Sequence, residues 1–197
     1  MNFLAHLYLA SPDPDLMFGG VLADFVRGRA VNDYPDRIQQ GIRLHTRIDA
    51  FTDNHPVVAA SRARFQPPFR RYAGILIDLA FDHFLASQWD DYSSRVPLDV
   101  FARDAYNLLQ TNASNRPERM RRVVAAMQRE NWLVSYRDLE GIENALCRLS
   151  LRLSRENPLA EAGGTIRENY SGLQSDFGLF HPDLVRFVTH ARRTPPR

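Results

Sequence analysis

The sequence predicts an all-α protein, and three observations carry that prediction. Apolar residues recur with a helical period in one segment after another. Breaks rich in Gly, Pro, Asn and Ser separate those segments, and no alternating stretch or hairpin signal occurs in the chain. With 197 residues and no Gly/Ser linker, low-complexity tract or fixed repeat, residues 1–197 read as a single domain. The unequal lengths of the helical segments point to an irregular bundle.

The opening run Asn2–Phe3–Leu4–Ala5–His6–Leu7–Tyr8–Leu9–Ala10 is apolar but is broken at Ser11–Pro12 and has no basic flank. It is too short for a membrane span and is expected to be a core helix. Asp13 can cap, and Pro14 can start, a helix expected to run to about Arg27 and stop near Gly28, with Asp24 interrupting its apolar body. Tyr34–Pro35–Asp36 opens a helix whose inward positions are Ile38, Gly41, Ile42, His45, Ile48, Asp49 and Thr52; Asn54–His55–Pro56 ends it. Pro56 starts a further helix, and after Pro67–Pro68 an apolar helix is expected from about Phe69 to Trp89. A turn at Ser93–Ser94 follows.

The second half alternates amphipathic patterns and breaks. Leu98 to Leu109 forms one helix, the Asn112–Asn115 stretch a loop, and Met120 to about Trp132 a second helix. Leu139 to Leu149 forms a third. Beyond Gly163–Gly164 comes a stripe from Ile166 to Phe177, and Pro182–Asp183 opens a terminal helix before a basic, Pro-rich tail.

Composition narrows the functional classes. The net charge is only +2, yet all 25 basic residues are Arg, so every cation is a planar fork suited to carboxylate or phosphate. Near-neutral charge weighs against a nucleic-acid-binding module. The single Cys147 precludes an internal disulfide, in keeping with a cytoplasmic protein, and also precludes a cysteine-held zinc. No Glu-x-x-His occurs, which argues against a ferritin-like di-iron site.

The ionisable residues on otherwise apolar stripes are His6, Asp24, His45, Asp49, Asp78, Asp82 and His83, all in the first 83 positions. The acids and histidines of the second half fall on polar faces or in loops. Asp78 and Asp82 are one turn apart on the most apolar helix, with His83 following, and a buried carboxylate costs several kcal/mol unless its charge is compensated. Carboxylates and imidazoles delivered by several helices suit a divalent cation. The structural alternatives are a core imidazole bonded to a carbonyl for His6, an ion pair with Arg27 for Asp24, an oriented imidazole without metal for His45–Asp49, and a cap for Asp53. Arg27 and Arg47 are the cations nearest this cluster and either bind phosphate or form salt bridges. Arg119, Arg121 and Arg122 form a solvated helix face or steer an acidic partner.

Five motifs in register carry a family resemblance: Met1–Asn2–Phe3–Leu4–Ala5–His6–Leu7, Leu22–Ala23–Asp24–Phe25–Val26–Arg27–Gly28, His45–Thr46–Arg47–Ile48–Asp49 with Thr52–Asp53, Asp82–His83–Phe84–Leu85, and Trp132–Leu133 with Tyr136–Arg137–Asp138. Together they resemble the bacterial acyl carrier protein phosphodiesterases. The resemblance implies hydrolysis of the phosphodiester that joins 4′-phosphopantetheine to a serine of holo-acyl carrier protein. It also implies manganese as the favoured metal, with magnesium or iron as alternatives, and a helical fold distantly like the HD phosphohydrolases. HD enzymes carry a contiguous His-Asp pair; this chain has only the reversed pair Asp82–His83. Ligand assignment therefore rests on which groups point inward.

On that basis Asp24, His45, Asp82 and His83 are the expected metal ligands, with Asp49 and Asp78 orienting them or acting as general base. Arg27 or Arg47 would contact the phosphate, and His6 would donate a proton to the serine alkoxide. The Arg-only cations fit an acidic carrier protein as partner, with no membrane or nucleic acid involved. The remaining alternatives are a small-molecule or nucleotide phosphohydrolase with a related metal site, and a non-catalytic Arg-rich binding module.

Overall fold

A computed structural model describes residues 2–93, 96–111 and 116–193. Its described residues are helical with no strand, as the sequence predicts. The expected Asn112–Asn115 loop, Ser94 of the expected turn, Met1 and the Pro-rich tail lie outside the described residues.

Helix α1 (Phe3–Ala10) is buried on nearly every face. Helix α2 (Pro14–Leu22) starts as expected, with Asp13 Oδ1 accepting from Leu16 N–H at 3.0 Å and Pro14 in the first turn. It ends earlier than the sequence suggests. The chain tightens into turns after Leu22, and Gly28 takes a φ of +60°, a left-handed conformation that favours glycine. Asp24 thus sits in a turn, beyond the helix. A short 3-10 segment, Gly28–Asp33, leads into α3 (Asp36–Asn54), whose inward stripe is the predicted one except that Asp49 reaches the edge of the core.

Helix α4 (Pro56–Ala63) precedes the central α5 (Ala73–Ser87), which packs against α1, α4, α10 and α12. The short α6 (Trp89–Tyr92) follows. The second half contains α7 (Leu98–Thr111), α8 (Glu118–Arg129), α9 (Trp132–Ser135), α10 (Leu139–Arg152), α11 (Gly163–Glu168) and α12 (Tyr170–Arg193). Left-handed Asn131, φ 48°, separates α8 from α9.

Pro182 does not begin a helix: it lies inside α12. A proline there removes one backbone hydrogen bond. The continuous buried stripe of Phe177, Phe180, Leu184 and Val188 outweighs that loss. Buried side chains form one connected core in which Phe18, Phe65, Phe81, Phe84, Phe177 and Phe180 are fully enclosed. Among the described residues no helix is long and apolar enough to cross a membrane.

Candidate functional site

The site begins with two glycines. A Cβ on Gly19 would fall 2.2 Å from the Ile38 carbonyl oxygen and 2.9 Å from Gly41 Cα, so α2 and α3 touch backbone to backbone. That approach brings α3 side chains to the last turn of α2. Because α2 ends at Leu22, the Asp24 N–H bonds Val21 O and leaves the Gly20 carbonyl without it. His45 Nδ1 takes up this carbonyl at 2.7 Å. An Nδ1–H donor fixes the ring and aims Nε2 at the carboxylate side of the cluster.

Asp49, one turn further along α3, places Oδ2 3.0 Å from His45 Nε2. Its Oδ1 lies 3.2 Å from Nε2 of His6 on α1. The two imidazoles stack with centroids 3.9 Å apart at 14°. Asp24 closes the open side, with Oδ1 3.8 Å from His45 Nε2. The histidines are buried, whereas the side chains of Asp24 and Asp49 are 48 % and 40 % exposed, so solvent reaches the cluster from the carboxylate side.

The electrostatics follow from this layout. Burial, reinforced by the His45 charge, lowers the His6 pKa to about 3, so its ring is neutral near pH 7. Neither His6 nitrogen makes a well-directed hydrogen bond. Burial alone would lower His45 too, but its hydrogen bond to Asp49 and the charges of Asp49 and Asp24 reverse the sign and raise it. Burial would raise Asp49; the hydrogen bond from His45 and the close approach of the His6 ring hold it well below the usual carboxylate range. Donor atoms of His6, His45 and Asp49 lie within 4.8 Å of one another, a set able to hold a metal ion. Two imidazole nitrogens and a carboxylate suit a borderline divalent cation, and the buried, poorly bonded His6 nitrogens fit that role.

The sequence model of the family described as acyl carrier protein phosphodiesterase matches residues 1–184. The chain belongs to that family. A Klebsiella pneumoniae protein named acyl carrier protein phosphodiesterase is 37 % identical over 188 residues, covering 95 % of this chain and 97 % of the relative. A Photorhabdus laumondii protein of the same name is 35 % identical over 185 residues, 94 % of this chain and 93 % of the relative. An Escherichia coli relative, also so named, is 36 % identical over 190 residues, 96 % and 98 % of the two chains. No solved structure matches the chain.

Within this family member, the structure brings together four of the expected site residues, His6, Asp24, His45 and Asp49, and directs the others elsewhere. Asp82 is fully buried, but its two oxygens accept the Leu4 and Ala5 N–H groups at 2.9 and 3.2 Å. It caps α1 from the side, and burial pushes its carboxyl up to about 7 despite those donors. His83 faces away from the cluster, with Nδ1 2.9 Å from Tyr136 O and Nε2 3.0 Å from Tyr170 Oη. The expected ligand roles of Asp82 and His83 therefore meet geometry that uses both side chains to tie helices together. Asp78 is half-buried on α5, and burial raises its pKa, with the carboxylates of Asp49 and Asp53 acting in the same sense.

Burial keeps the His6 ring uncharged near neutral pH, which suits a metal-binding nitrogen better than the expected proton donor. Arg47 lies on the opposite side of α3 from His45 and Asp49; its Nη1 donates to Ala191 O at 3.2 Å and its guanidinium covers Phe187 at 5.6 Å. Arg27 is exposed before the 3-10 segment. The expectation that second-half acids and histidines are all peripheral fails at α12, where Asp176 and His181 are buried. Asp176 joins Ser61 at 2.9 Å and Arg64 Nε at 2.9 Å, fastening α12 to α4. The Gly20 carbonyl is a functional group that residue-type reasoning missed. The Gly19–Gly20 pair, with Gly41 on the next helix, was its signal.

Proposed function

We propose that this chain hydrolyses the phosphodiester between 4′-phosphopantetheine and a serine of holo-acyl carrier protein, using a divalent cation held by His6, His45 and Asp49 with Asp24 beside them. The observation that carries this reading is the gathering of three donor groups within 4.8 Å around an imidazole whose other nitrogen is fixed on a backbone carbonyl. Membership of the acyl carrier protein phosphodiesterase family supports the substrate.

The bound cation would supply Lewis-acid chemistry, polarising the phosphoryl group and making water a stronger nucleophile at neutral pH. The imidazole nitrogens suit iron and the carboxylates manganese or magnesium, so the donor set admits each candidate, and manganese is taken from the family resemblance. Each residue then has a physical task. Gly20 O holds the His45 tautomer. His6 stays neutral and keeps its lone pair available. Asp49 spans both imidazoles and contributes the anionic charge. Asp24, on the solvent side, is placed to take the proton from attacking water. Asp78, half-buried on α5 and raised above the usual carboxylate range chiefly by burial, would be the proton donor to the serine alkoxide.

The test is incubation of the purified protein with holo-acyl carrier protein and manganese, followed by intact mass measurement. The expected result is loss of the 4′-phosphopantetheine mass from the carrier and its recovery as free phosphopantetheine. An unchanged carrier mass, with the protein folded and metal-loaded, overturns the reading.

A further inference from the structure

A second feature begins at the rim of the His/Asp cluster and runs outward. Phe25 follows Asp24 directly, and the Arg119 guanidinium lies over its ring at 5.8 Å, close enough for its charge to act on Asp24. From there the cations continue onto α10. Trp132, only 3 % exposed, carries Arg148 at 4.2 Å and Arg152 at 5.6 Å from its ring centroid. Burial, together with the charges of Arg119 and Arg148, lowers the Arg152 pKa, so these guanidinium groups are crowded enough to repel one another.

The acidic compensation is thin. Glu130 is shared among Arg129 at 2.6 Å, Arg148 at 3.5 Å and Trp132 Nε1 at 2.8 Å. Arg148 Nη2 is buried and without a hydrogen-bond partner. Among the described residues, Arg119 and Arg152 make no ion pair. Like charges held together form a positive patch that attracts an external anion. Beside them, Leu151 is 87 % exposed and Leu153 41 % exposed, large apolar side chains that flank Arg152 in sequence.

We propose that Arg119, Arg148, Arg152 and Leu151 form a docking surface for an acidic, amphipathic helix of the protein substrate, delivering its serine-linked diester to the His/Asp cluster. The planar guanidinium forks match carboxylates, and the exposed leucines match the apolar positions of such a helix. A phosphate alone would use the cations but leave the leucines without a role. Identification of the partner as the carrier protein rests on the proposed function; the surface itself rests on the charges and apolar side chains described here.

The test uses two variants at exposed positions, Arg119→Glu/Arg152→Glu and Leu151→Asp, with circular dichroism melts to confirm folding. Binding is read by fluorescence anisotropy with labelled apo-acyl carrier protein, which has no cleavable arm, and turnover with holo-carrier protein and manganese. Wild-type binding should weaken several-fold between about 0.05 and about 0.3 M salt. The double variant should bind about tenfold more weakly and show a similar rise in KM with kcat nearly constant; Leu151→Asp should weaken binding with little change in its salt dependence. Unchanged binding in both variants overturns the proposal. A loss confined to kcat overturns it as well, because it would put the arginines at the reacting phosphate. Equally tight, equally charge-sensitive binding of a single-stranded RNA oligonucleotide would also overturn it. Charge-dependent binding without cleavage by the wild type would leave the surface standing and remove the proposed reaction; cleavage with unaltered variant binding would do the reverse.

Discussion

His45 Nδ1 lies 2.7 Å from the carbonyl oxygen of Gly20, and this contact exists because α2 and α3 meet at Gly19 and Gly41. A Cβ on Gly41 would fall 2.6 Å from Leu16 O and 2.9 Å from Gly19 Cα, both backbone atoms that cannot swing aside. Gly41→Ala should therefore force the helices apart. The expected cost is about 1–3 kcal/mol, a drop in melting temperature of about 3–10 °C. Because His45 loses its orienting carbonyl, manganese affinity should fall about tenfold or more. Calorimetric titration of the folded variant checks the second effect separately from the first.

Asp49 joins both imidazoles, at 3.2 Å to His6 and 3.0 Å to His45. Asp49→Asn keeps the size and removes the charge. The wild type should gain about 3 kcal/mol of stability with manganese at about a hundred times its dissociation constant, and the variant should gain almost none. Thermal melts with and without manganese measure this without reference to turnover. A full metal-induced shift in the variant would remove Asp49 from the ligand set.

Asp82 provides the contrast. Its carboxylate accepts two N–H groups of α1, so Asp82→Ala leaves two buried donors unpaired. The expected destabilisation is about 2–4 kcal/mol by chemical denaturation. Manganese affinity below the melting transition should stay close to wild type, the reverse of the Asp49→Asn pattern. Loss of metal binding without loss of stability would return Asp82 to the metal site.

These contrasts mark how far the sequence can be read. Helical period identified the all-α class, the inward stripe of α3 and the turn relation between His45 and Asp49, because those depend on local geometry alone. Its failures came where a tertiary partner decides. Asp82 and His83 are as buried as periodicity predicts, yet the period does not say whether the neighbour is a cation, the α1 N-terminus or Tyr136. The local pattern carries the helix past Asp24, but α2 stops at Leu22 and the chain turns toward the left-handed Gly28. Pro182 looked like a start because the local rule for proline is strong; the apolar stripe of α12 overrides it.

His181 makes a separate, pH-dependent prediction. It is 5 % exposed on α12, packed at 4.4 Å from Tyr92, 5.2 Å from Phe177 and 5.9 Å from Tyr8 ring centroids, and its Nε2 is buried without a hydrogen-bond partner. Burial lowers its pKa from 6.5 to about 4. Between those values the unfolded chain binds a proton that the folded protein refuses, so stability falls as pH drops through this window and is fully present above it. The share of His181 is about 3 kcal/mol. Buried His6 acts in the same direction and keeps its share in any His181 variant. Urea unfolding midpoints of wild type and His181→Leu, followed from pH 7 to pH 4, should show the wild type falling more steeply, with the variant curve flatter by up to about one proton. Parallel curves would mean that His181 accepts its proton in the folded protein as readily as in the unfolded chain.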